Sequence, residues 1–255
     1  MTKPVFYYPQ LAAQDGSGEV TLRGEEAHHM RVKRIQVGEE VDLVDGDGWR
    51  AHATLRSVAE DGYVLAIEAP VNEGQGETKL VLVQALVKGS KDEQVVEMAT
   101  EVGASAIIAW QAQRSISRWA SAKVPKQLKK LRDSARAAAK QSRRSTIPTV
   151  DFAGSVQAVV DKLKEMGGEL TVLVAHEEGE ETIERALATS ARTEVVAVVI
   201  GPEGGITPSE LQQFTQAGAK IVKVGSTVMR AITAGVVTLA LTRSAWQQDK
   251  ITASS

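Results

Sequence analysis

The feature that most constrains the fold is a run of six apolar residues, Val195–Ile200, that leads directly into the loop Gly201-Pro202-Glu203-Gly204-Gly205. Most of the six are β-branched, which predicts a parallel strand buried on both faces. The three glycines leave backbone N–H and C=O groups uncovered, so a ligand can lie against the main chain. Because ligands of open α/β sheets bind beyond the carboxyl ends of the strands, this loop is the first candidate for a functional site.

The sequence on both sides of this strand alternates between apolar runs and amphipathic segments. Helix starts are predicted by two capping boxes, Ser90 with Glu93 and Thr207 with Glu210. The alternation predicts an α/β fold in which a mostly parallel sheet carries helices on both faces. Neither a Rossmann nor a P-loop glycine motif is present, which disfavours those nucleotide-binding enzymes. Strands are predicted at 79–87, 106–110, 171–175, 195–200 and 219–224, and helices at 154–166, 181–188, 208–217 and 231–247.

The first third of the chain is dense in turn signals and short alternating runs. Gly46-Asp47-Gly48 separates two such runs and predicts a hairpin. Short strands at this spacing predict a small β-barrel or sandwich. The composition of 72–77 is typical of a linker, so we expect a β-rich domain over residues 1–74 and an α/β domain over 75–255.

One helix is expected in the β-rich part, over residues 24–34, and it contains the adjacent pair His28-His29. Neighbouring helical residues point about 100° apart, so the pair is not spaced to chelate a metal. No metal site is expected. Packing or RNA contact is favoured, because basic residues follow directly.

The composition and the apolar runs of the chain bear on the compartment in which the protein is expected. The chain has no cysteine, which excludes disulfides and cysteine-based metal sites. The start lacks the apolar core of a signal peptide and no apolar run approaches membrane-spanning length, so a cytoplasmic protein without a membrane partner is expected. The net charge of −2 suggests no nucleic-acid partner by itself.

The charge is nevertheless unevenly distributed. Residues 114–144 contain eleven Lys or Arg residues and a single acid, Asp133. A solvated helix face is the ordinary explanation of such a run, but positive charge without interspersed acids favours contact with RNA or DNA phosphates. Trp110 and Trp119 flank the segment, where base stacking and core packing are both open. One helical face is apolar, through Leu128, Leu131, Ala135 and Ala138.

The predicted last helix has apolar or small residues nearly all round over 231–241. Such a helix is expected to be buried on most sides. It fits either the centre of the core or a position between the sheet and a second subunit, and we favour the interface of a homodimer.

Several motifs together resemble one family, the RsmE family of ribosomal RNA methyltransferases in the SPOUT class. The resemblance covers nearly the whole chain and implies a PUA-like β-barrel followed by a sheet with a trefoil knot. The most specific marks are the Gly201–Gly205 loop followed by Arg230 and Thr233-Ala234. The others are His28-His29-Met30 with Arg34, Lys88-Gly89, Ala99-Thr100-Glu101-Val102-Gly103, Arg114-Ser115, Gln141-Ser142-Arg143-Arg144 with Pro148, Val224-Gly225 and Met229.

This chain departs from the family pattern at three places. Ile232 stands where the family often has a glutamate, Met98 where a lysine is common, and Lys140 where a glutamate is common. The missing glutamate at Ile232 weakens any mechanism that depends on it. None of the three changes touches the glycine loop.

The resemblance implies an S-adenosylmethionine site formed by three loops, 173–178, 200–205 and 224–230. It implies methylation of uridine N3 in 16S RNA of the 30S subunit, with Arg230 stabilising the anion formed when N3 loses its proton. A salt bridge that closes the third loop is the alternative role for Arg230, and His176 and Glu203 are open candidates for the base. The implied cofactor contacts are Leu173, His176, Ile200, Gly201, Pro202, Glu203, Gly204, Gly205, Val224, Gly225, Met229 and Thr233.

RNA contact is expected from the basic run together with the first helix. The candidates are His28, Arg31, Arg34, Arg114, Arg118, Lys126, Lys129, Lys130, Arg136, Arg143 and Arg144. Two other functions stay open: a SPOUT enzyme that acts on a ribose 2′-hydroxyl or on transfer RNA, and a non-catalytic RNA-binding or ribosome-assembly protein. A bare glycine loop beyond a buried strand argues against the second.

Overall fold

The computed structural model describes residues 3–74, 78–89, 91–190 and 193–253, with side chains described as far as Trp246. Contacts divide the chain into two units. The first unit comprises Met1–Gly76 and Ala139–Ile147, and the second comprises Glu77–Ala138 and Pro148–Ser255. Residues 75–77 of the predicted linker lie outside the described residues.

The first unit is built on a mixed six-stranded sheet. Its strand order is β1-β3-β4-β5-β2, with β6 paired to β4. β1 runs parallel to β3, and the other pairs are antiparallel. A short 3-10 turn, Leu11–Ala13, follows the first strand. The elements are β1 Val5–Tyr7, β2 Gly18–Leu22, α1 Gly24–Val32, β3 Glu40–Val44, β4 Trp49–Ala59, β5 Gly62–Ile67 and β6 Val71–Asn72.

The predicted hairpin is present between β3 and β4. The carboxylate of Asp45 accepts hydrogen bonds from the backbone N–H groups of Asp47 and Trp49, at 2.7 and 3.0 Å. Gly46 and Gly48 both have positive φ, which is why small residues flank the aspartate there. The sheet, the 3-10 turn and α1 together enclose a core formed mainly by Phe6, Leu11, Met30, Leu43, Leu55 and Leu65.

The second unit contains an all-parallel six-stranded sheet in the order β12-β10-β11-β7-β8-β9. Its fold is α/β, as the alternation of apolar and amphipathic segments predicts; the trefoil knot that the family resemblance implies stays a prediction. A 3-10 turn, Ser121–Lys123, precedes the long basic helix. The elements are β7 Lys79–Ala85, α2 Asp92–Val102, β8 Ala106–Trp110, α3 Val124–Gln141, β9 Thr149–Ala153, α4 Val156–Glu165, β10 Leu170–Ala175, α5 Ile183–Ala188, β11 Val195–Ile200, α6 Pro208–Gln216, β12 Lys220–Val222 and α7 Ala231–Ala253.

The structure tests one of the two capping boxes that the sequence predicts at helix starts. The capping box of Thr207 and Glu210 is present in full, and Pro208 occupies the first helical position. Ser90 of the other predicted box lies outside the described residues, and the N-cap of α2 is Lys91, which makes no side-chain cap.

The sequence did not predict β9, an edge strand in which the polar Asp151 interrupts the apolar run.

The sheet is covered on both faces. One face packs beneath α4 and α6, where the indole of Trp110 meets the ring of Phe214 edge-on at 5.4 Å. Trp110 is fully buried, so it cannot stack on an RNA base. Trp119 is 9% exposed and stacks on Phe152, with 5.2 Å between the ring centroids. Core packing is therefore the role of both tryptophans.

The other face of the sheet is covered by α7, which packs on β7, β11, α2 and α5. Leu239 is buried on the sheet side, whereas Leu241 is 40% exposed. Over 231–241 only Thr233, Ala240 and Leu241 are exposed, which fits the expectation of burial on most sides and leaves one narrow outer strip of α7 uncovered. In the described ranges we find no helix with the length and apolar character needed to span a membrane.

Candidate active site

Four loops meet at one edge of the parallel sheet. Because β12, β10, β11 and β7 are consecutive neighbours, their carboxyl ends lie side by side. The loops that follow them cover residues 223–230, 176–182 and 201–207, and the described part of the fourth begins with 86–89. This edge is where an α/β sheet places its ligand.

In the loop after β11, Gly201–Gly205, two of the glycines have no space for a side chain. A Cβ built on Gly201 would lie 2.7 Å from Cγ1 of Ile206, and one on Gly204 would lie 3.1 Å from Cβ of Arg114. Gly205 has a φ of +73°, which side-chain-bearing residues rarely adopt, and its N–H donates to the carbonyl oxygen of Pro202. These glycines are required by the path of the backbone.

Neighbouring segments hold the glycine loop from both sides. The guanidinium of Arg114 donates to the carbonyl oxygen of Gly204 at 3.1 Å. On the other side the backbone N–H of Lys88 donates to the carboxylate of Glu203 at 3.3 Å. The loop is thereby tied to the segments that follow β8 and β7.

The helix that follows the loop is anchored as well. The buried carboxylate of Glu210 accepts the backbone N–H of Gln113 at 2.7 Å and that of Thr207 at 3.0 Å. The start of α6 is therefore fixed to the loop after β8.

The loop after β10 runs close beside the end of β12. The backbone N–H of His176 donates to the carbonyl oxygen of Val222 at 3.0 Å, and that of Lys223 donates to Glu181 at 2.8 Å. A Cβ on Gly179 would lie 2.5 Å from the carbonyl carbon of Val222. The loop after β10 and the loop after β12 therefore run side by side and are joined by backbone hydrogen bonds.

His176 has a structural role in the loop after β10. Its ring Nδ1 accepts the backbone N–H of Glu178 at 3.2 Å. A neutral ring that accepts at Nδ1 carries its proton on Nε2, so it has no second free acceptor. This geometry disfavours His176 as a general base.

The third loop, 223–230, leads into α7. Gly225 has a φ of +72°, Val228 is 84% exposed and Met229 is half-buried. Arg230 is exposed, and its carbonyl oxygen accepts the N–H of Ala234 at 2.8 Å in the first helical turn. Among the ion pairs of the described residues none involves Arg230, so the salt bridge considered as its alternative role is not formed.

One carboxyl group near this edge was missed in the sequence. Burial raises the pKa of Asp92, and the nearby charge of Glu203 adds to the effect. The Asp92 carboxylate accepts the backbone N–H of Val87 at 3.0 Å. Its signal in the sequence was its position at the first residue of the helix after β7.

The remaining cofactor candidates differ in exposure. Leu173 and Ile200 are buried strand residues, and Pro202 is buried within the glycine loop. Val224 is half-buried, and Thr233 is exposed on the first turn of α7. The structure brings the ends of β10, β11 and β12 to one edge, as the three-loop arrangement requires.

The basic helix α3 has the two faces that the sequence predicted. Leu128, Leu131, Ala135 and Ala138 are buried, while the cationic side chains opposite them are exposed. Some of these cations are held in place: Lys129 pairs with Asp133 at 2.7 Å. Arg118 donates to the carbonyl oxygen of Gln113. The exposed RNA candidates of the second unit are Arg114, Arg118, Lys126, Lys129, Lys130 and Arg136.

The other RNA candidates belong to the first unit. His28 is exposed, as are Arg31 and Arg34. Arg143 has a φ of +60°, and its carbonyl oxygen accepts a hydrogen bond from Arg50 at 2.8 Å. The remaining candidate is Arg144, which donates to the hydroxyl of Thr146.

His29 takes part in a polar cluster of the first unit. The ammonium of Lys140 lies 2.6 Å from the carboxylate of Glu26 and 2.8 Å from Nδ1 of His29. It also lies 5.2 Å from the ring centroid of Phe6. The lysine that departs from the family pattern is thus partnered by an acid and a histidine. No group of three or more metal-ligating side chains occurs in the described part of the chain.

Comparison with known proteins identifies the relatives of this fold. Residues 75–243 match a family model described as an RNA methyltransferase domain, and residues 22–68 match one described as an RNA methyltransferase PUA domain. The chain is 37% identical over 241 residues to ribosomal RNA small subunit methyltransferase E of Mycobacterium bovis, covering 94% of this chain and 90% of the relative. The protein of the same name from Bacillus subtilis is 29% identical over 242 residues, covering 91% and 93%.

The fold also matches a solved structure. The protein of this name from Neisseria gonorrhoeae, whose crystal structure is bound to S-adenosyl methionine, superposes with a TM-score of 0.79 at 24% identity, covering 95% of this chain and 98% of that one. The family model matches well over half of the chain, and the Mycobacterium bovis relative is matched along nearly its whole length. The chain belongs to the RsmE family of ribosomal RNA small subunit methyltransferases, with a PUA-like unit followed by a SPOUT-type methyltransferase unit.

Proposed function

We propose that this protein methylates N3 of a uridine in the 16S RNA of the small ribosomal subunit, with S-adenosylmethionine as the methyl donor. The observation that carries the proposal is the glycine loop after β11, which lies at the carboxyl end of a central strand, is held from both sides, and leaves Glu203 and Gly204 exposed. Family membership supports the reaction class, and the names of the relatives support the substrate. A cytoplasmic location follows from that substrate.

The residues at this edge fit the donor. Gly201 and Gly204 have no room for a side chain, and Gly204 exposes its backbone at the end of the strand. Main-chain N–H and C=O groups suit the adenine, ribose and amino-acid parts, which are rich in hydrogen-bonding atoms. Bound there, the donor supplies an electrophilic methyl group. The main-chain contacts are assigned to Gly201, Gly204, Gly205, Val224 and Met229.

Arg230 is assigned the role of stabilising the negative charge that forms on the uridine. Uridine N3 becomes a nucleophile when it loses its proton, and the negative charge then spreads to the neighbouring carbonyl oxygens. Arg230 is exposed at the start of α7 and is not engaged in an ion pair within the described residues, so its guanidinium can face such an anion. A fixed cation beside a developing charge is among the largest contributions to catalysis.

Of the two residues that the sequence offers as the base for the N3 proton, the structure favours one. His176 uses Nδ1 to accept the Glu178 amide and is committed to its loop. Glu203 keeps a carboxylate in the exposed glycine loop while accepting the N–H of Lys88. We therefore assign proton acceptance to Glu203 in preference to His176.

RNA delivery is assigned to the exposed cations of α3 and α1. Phosphate contacts position a nucleic acid without reading its sequence, which suits a surface made of Lys and Arg. The N3 atom lies on the Watson–Crick edge, so the target base has to be unpaired when it enters the site. In this proposal residues 1–74 form an RNA-binding domain and residues 75–255 form the catalytic domain.

A homodimer completes the proposal. The outer side of α7 leaves Leu241 40% exposed, and Val228 at the preceding loop is 84% exposed. A second copy of the chain packed there would cover both residues. The cost of leaving such apolar surface in water supports this assembly.

Two measurements test the proposal. Calorimetric titration of the purified protein with S-adenosylmethionine is expected to show binding, and nucleoside mass spectrometry of treated 30S subunits is expected to show 3-methyluridine. Absence of binding would leave an RNA-binding protein without this activity. A methyl group on a ribose oxygen would assign the chain to a different SPOUT reaction.

A further inference from the structure

Gln84 is the only polar residue in the apolar stretch Leu80–Leu86 of the central strand β7 and its end. Its side chain is 4% exposed, and its Nε2 donates weakly to the carbonyl oxygen of Ala85 at 3.4 Å. The Oε1 atom is buried and accepts no hydrogen bond within the described residues. A buried polar atom without a partner is uncommon and disfavours folding, so its position calls for a physical reason.

The atom points at α7. A Cβ built on Gly235 would overlap Oε1 of Gln84, and it would lie 3.7 Å from Cδ1 of Leu82. Gly235 is in the interior of a helix, where glycine is among the least favourable residues. Its absent side chain lets the helix approach the glutamine this closely.

This contact lies beneath the candidate active site. Gln84 is the register partner of Ile200, the residue immediately before the glycine loop. Gly235 is in the second turn of α7, and the first turn is closed by the hydrogen bond from Ala234 to Arg230. One contact therefore joins the strand that supports the glycine loop to the helix that begins at Arg230.

We propose that Gln84 and Gly235 form a positioning pair that sets how closely the start of α7 packs on the sheet. The Gln84 amide supports the helix at Gly235, and the helix in turn places Arg230 and the 223–230 loop against the glycine loop. The pair acts through these residues and touches neither substrate nor donor. The inference rests on the proposed function in that the placed loops are those assigned to the methyl donor.

The test compares Gly235→Ala with the double variant Q84A/G235A. The added methyl group overpacks the interface and moves the start of α7, so affinity for S-adenosylmethionine is expected to fall by about tenfold. In the double variant the shortened side chain makes room for the methyl, and affinity is expected to return to within about twofold of wild type. Gly154→Ala is the matched control, because a Cβ there meets only Phe152 at 3.8 Å.

Amide hydrogen exchange at residues 230–235 gives a readout that needs no methyl donor. Exchange is expected to accelerate in Gly235→Ala and to return toward wild type in the double variant. If wild-type protein fails to bind the donor, the proposed function fails, while the exchange data still decide the positioning pair.

Three results would overturn the inference. The first is a Gly235→Ala protein with wild-type affinity and exchange, including one whose melting temperature alone has dropped. The second is a double variant no better than the single one. The third applies if Gly235→Ala does not fold: the double variant is then expected to fold and bind the donor, and its failure would show that the two positions do not compensate.

Discussion

The guanidinium of Arg114 donates a hydrogen bond to the carbonyl oxygen of Gly204, and a Cβ built on the same glycine would lie 3.1 Å from Cβ of Arg114. The arginine comes from the loop after β8, and the glycine from the loop after β11. A residue singled out for RNA contact in the sequence thus also braces the loop assigned to the cofactor.

This relationship predicts the effect of Arg114→Ala. An exposed charged donor lost from a carbonyl is worth about 1 kcal/mol, so affinity for S-adenosylmethionine should fall by about fivefold. Calorimetric titration measures the change. Arg118→Ala is the control, since the guanidinium of that arginine donates to the carbonyl oxygen of Gln113, outside the glycine loop. Equal losses in the two variants would contradict a specific role for Arg114.

Arg230→Ala should fold normally and lose most methyl transfer. Arg230 is exposed, so its removal leaves the core unchanged. Loss of a donor that stabilises a developing anion lowers turnover by about 100- to 1,000-fold. The measurement is the single-turnover rate on 30S subunits, with donor affinity determined in parallel. Lys223→Ala, an exposed cation in the same loop, should be nearly neutral, and wild-type turnover in Arg230→Ala would remove the arginine from the mechanism.

Charge reversal on α3 should weaken RNA binding in a salt-dependent way. Lys126→Glu and Lys130→Glu change exposed side chains and leave the buried face intact. The slope of log affinity against log salt should become shallower by about 0.7 for each lost single-strand phosphate contact. Filter binding across a salt series measures this slope. Lys164→Glu on α4 is the control, and an unchanged slope in the α3 variants would assign that face to solvent.

Asp92→Asn should stabilise the protein at neutral pH. Burial raises the pKa of this carboxyl above its ordinary value of 3.8, so the folded protein holds the proton more tightly than the unfolded chain. Stability attributable to Asp92 is therefore lost as the pH rises through the folded pKa. An asparagine oxygen can still accept the N–H of Val87.

The expected result is a higher melting temperature for Asp92→Asn at pH 7, with the difference shrinking toward pH 3.8. Thermal melts at several pH values measure it. Glu97→Gln, on the exposed side of α2, should show no such trend. A gain that does not vary with pH would mean that the charge of Asp92 is not its cause.

Leu241→Glu should convert the proposed dimer into a monomer. A carboxylate placed on the outer strip of α7 would have to be buried without a partner in the dimer. Light scattering after size-exclusion chromatography should give the mass of one 27.3 kDa chain for the variant and twice that for the wild type. Val58→Glu, at an exposed valine of the first unit, is the control. A wild-type protein that runs as a monomer would contradict the assembly.

Periodicity and turn chemistry predicted much of the second unit. The β-branched run at Val195–Ile200 is a fully buried strand, and Thr207 with Glu210 caps the following helix. Strong local signals of this kind coincide with what the tertiary structure requires. The short edge strand Thr149–Ala153 escaped prediction because an edge strand needs no continuous apolar run.

Features that depend on distant residues could not be predicted from the sequence. Nothing local to Lys140 indicates that it pairs with Glu26, because that contact joins residues 114 positions apart. The close approach of Gly235 to Gln84 likewise cannot be predicted until the helix is placed on the strand. The isolated glutamine in an apolar strand was the only available signal. The sequence patterns therefore predict the loops of the site, whereas the side chains that support these loops become apparent only from the packing.

The pairing of β7 with β11 bears on how the molecule is made. Lys88 and Glu203, which meet beside the glycine loop, are separated by 115 residues of chain. During translation the central strand β7 leaves the ribosome long before its neighbour β11 has been synthesised. The side of β7 that pairs with β11 therefore stays unpaired during that interval. We expect the donor pocket to form only after β11 and α7 have been synthesised, and nascent chains that stall before α7 to depend on chaperones.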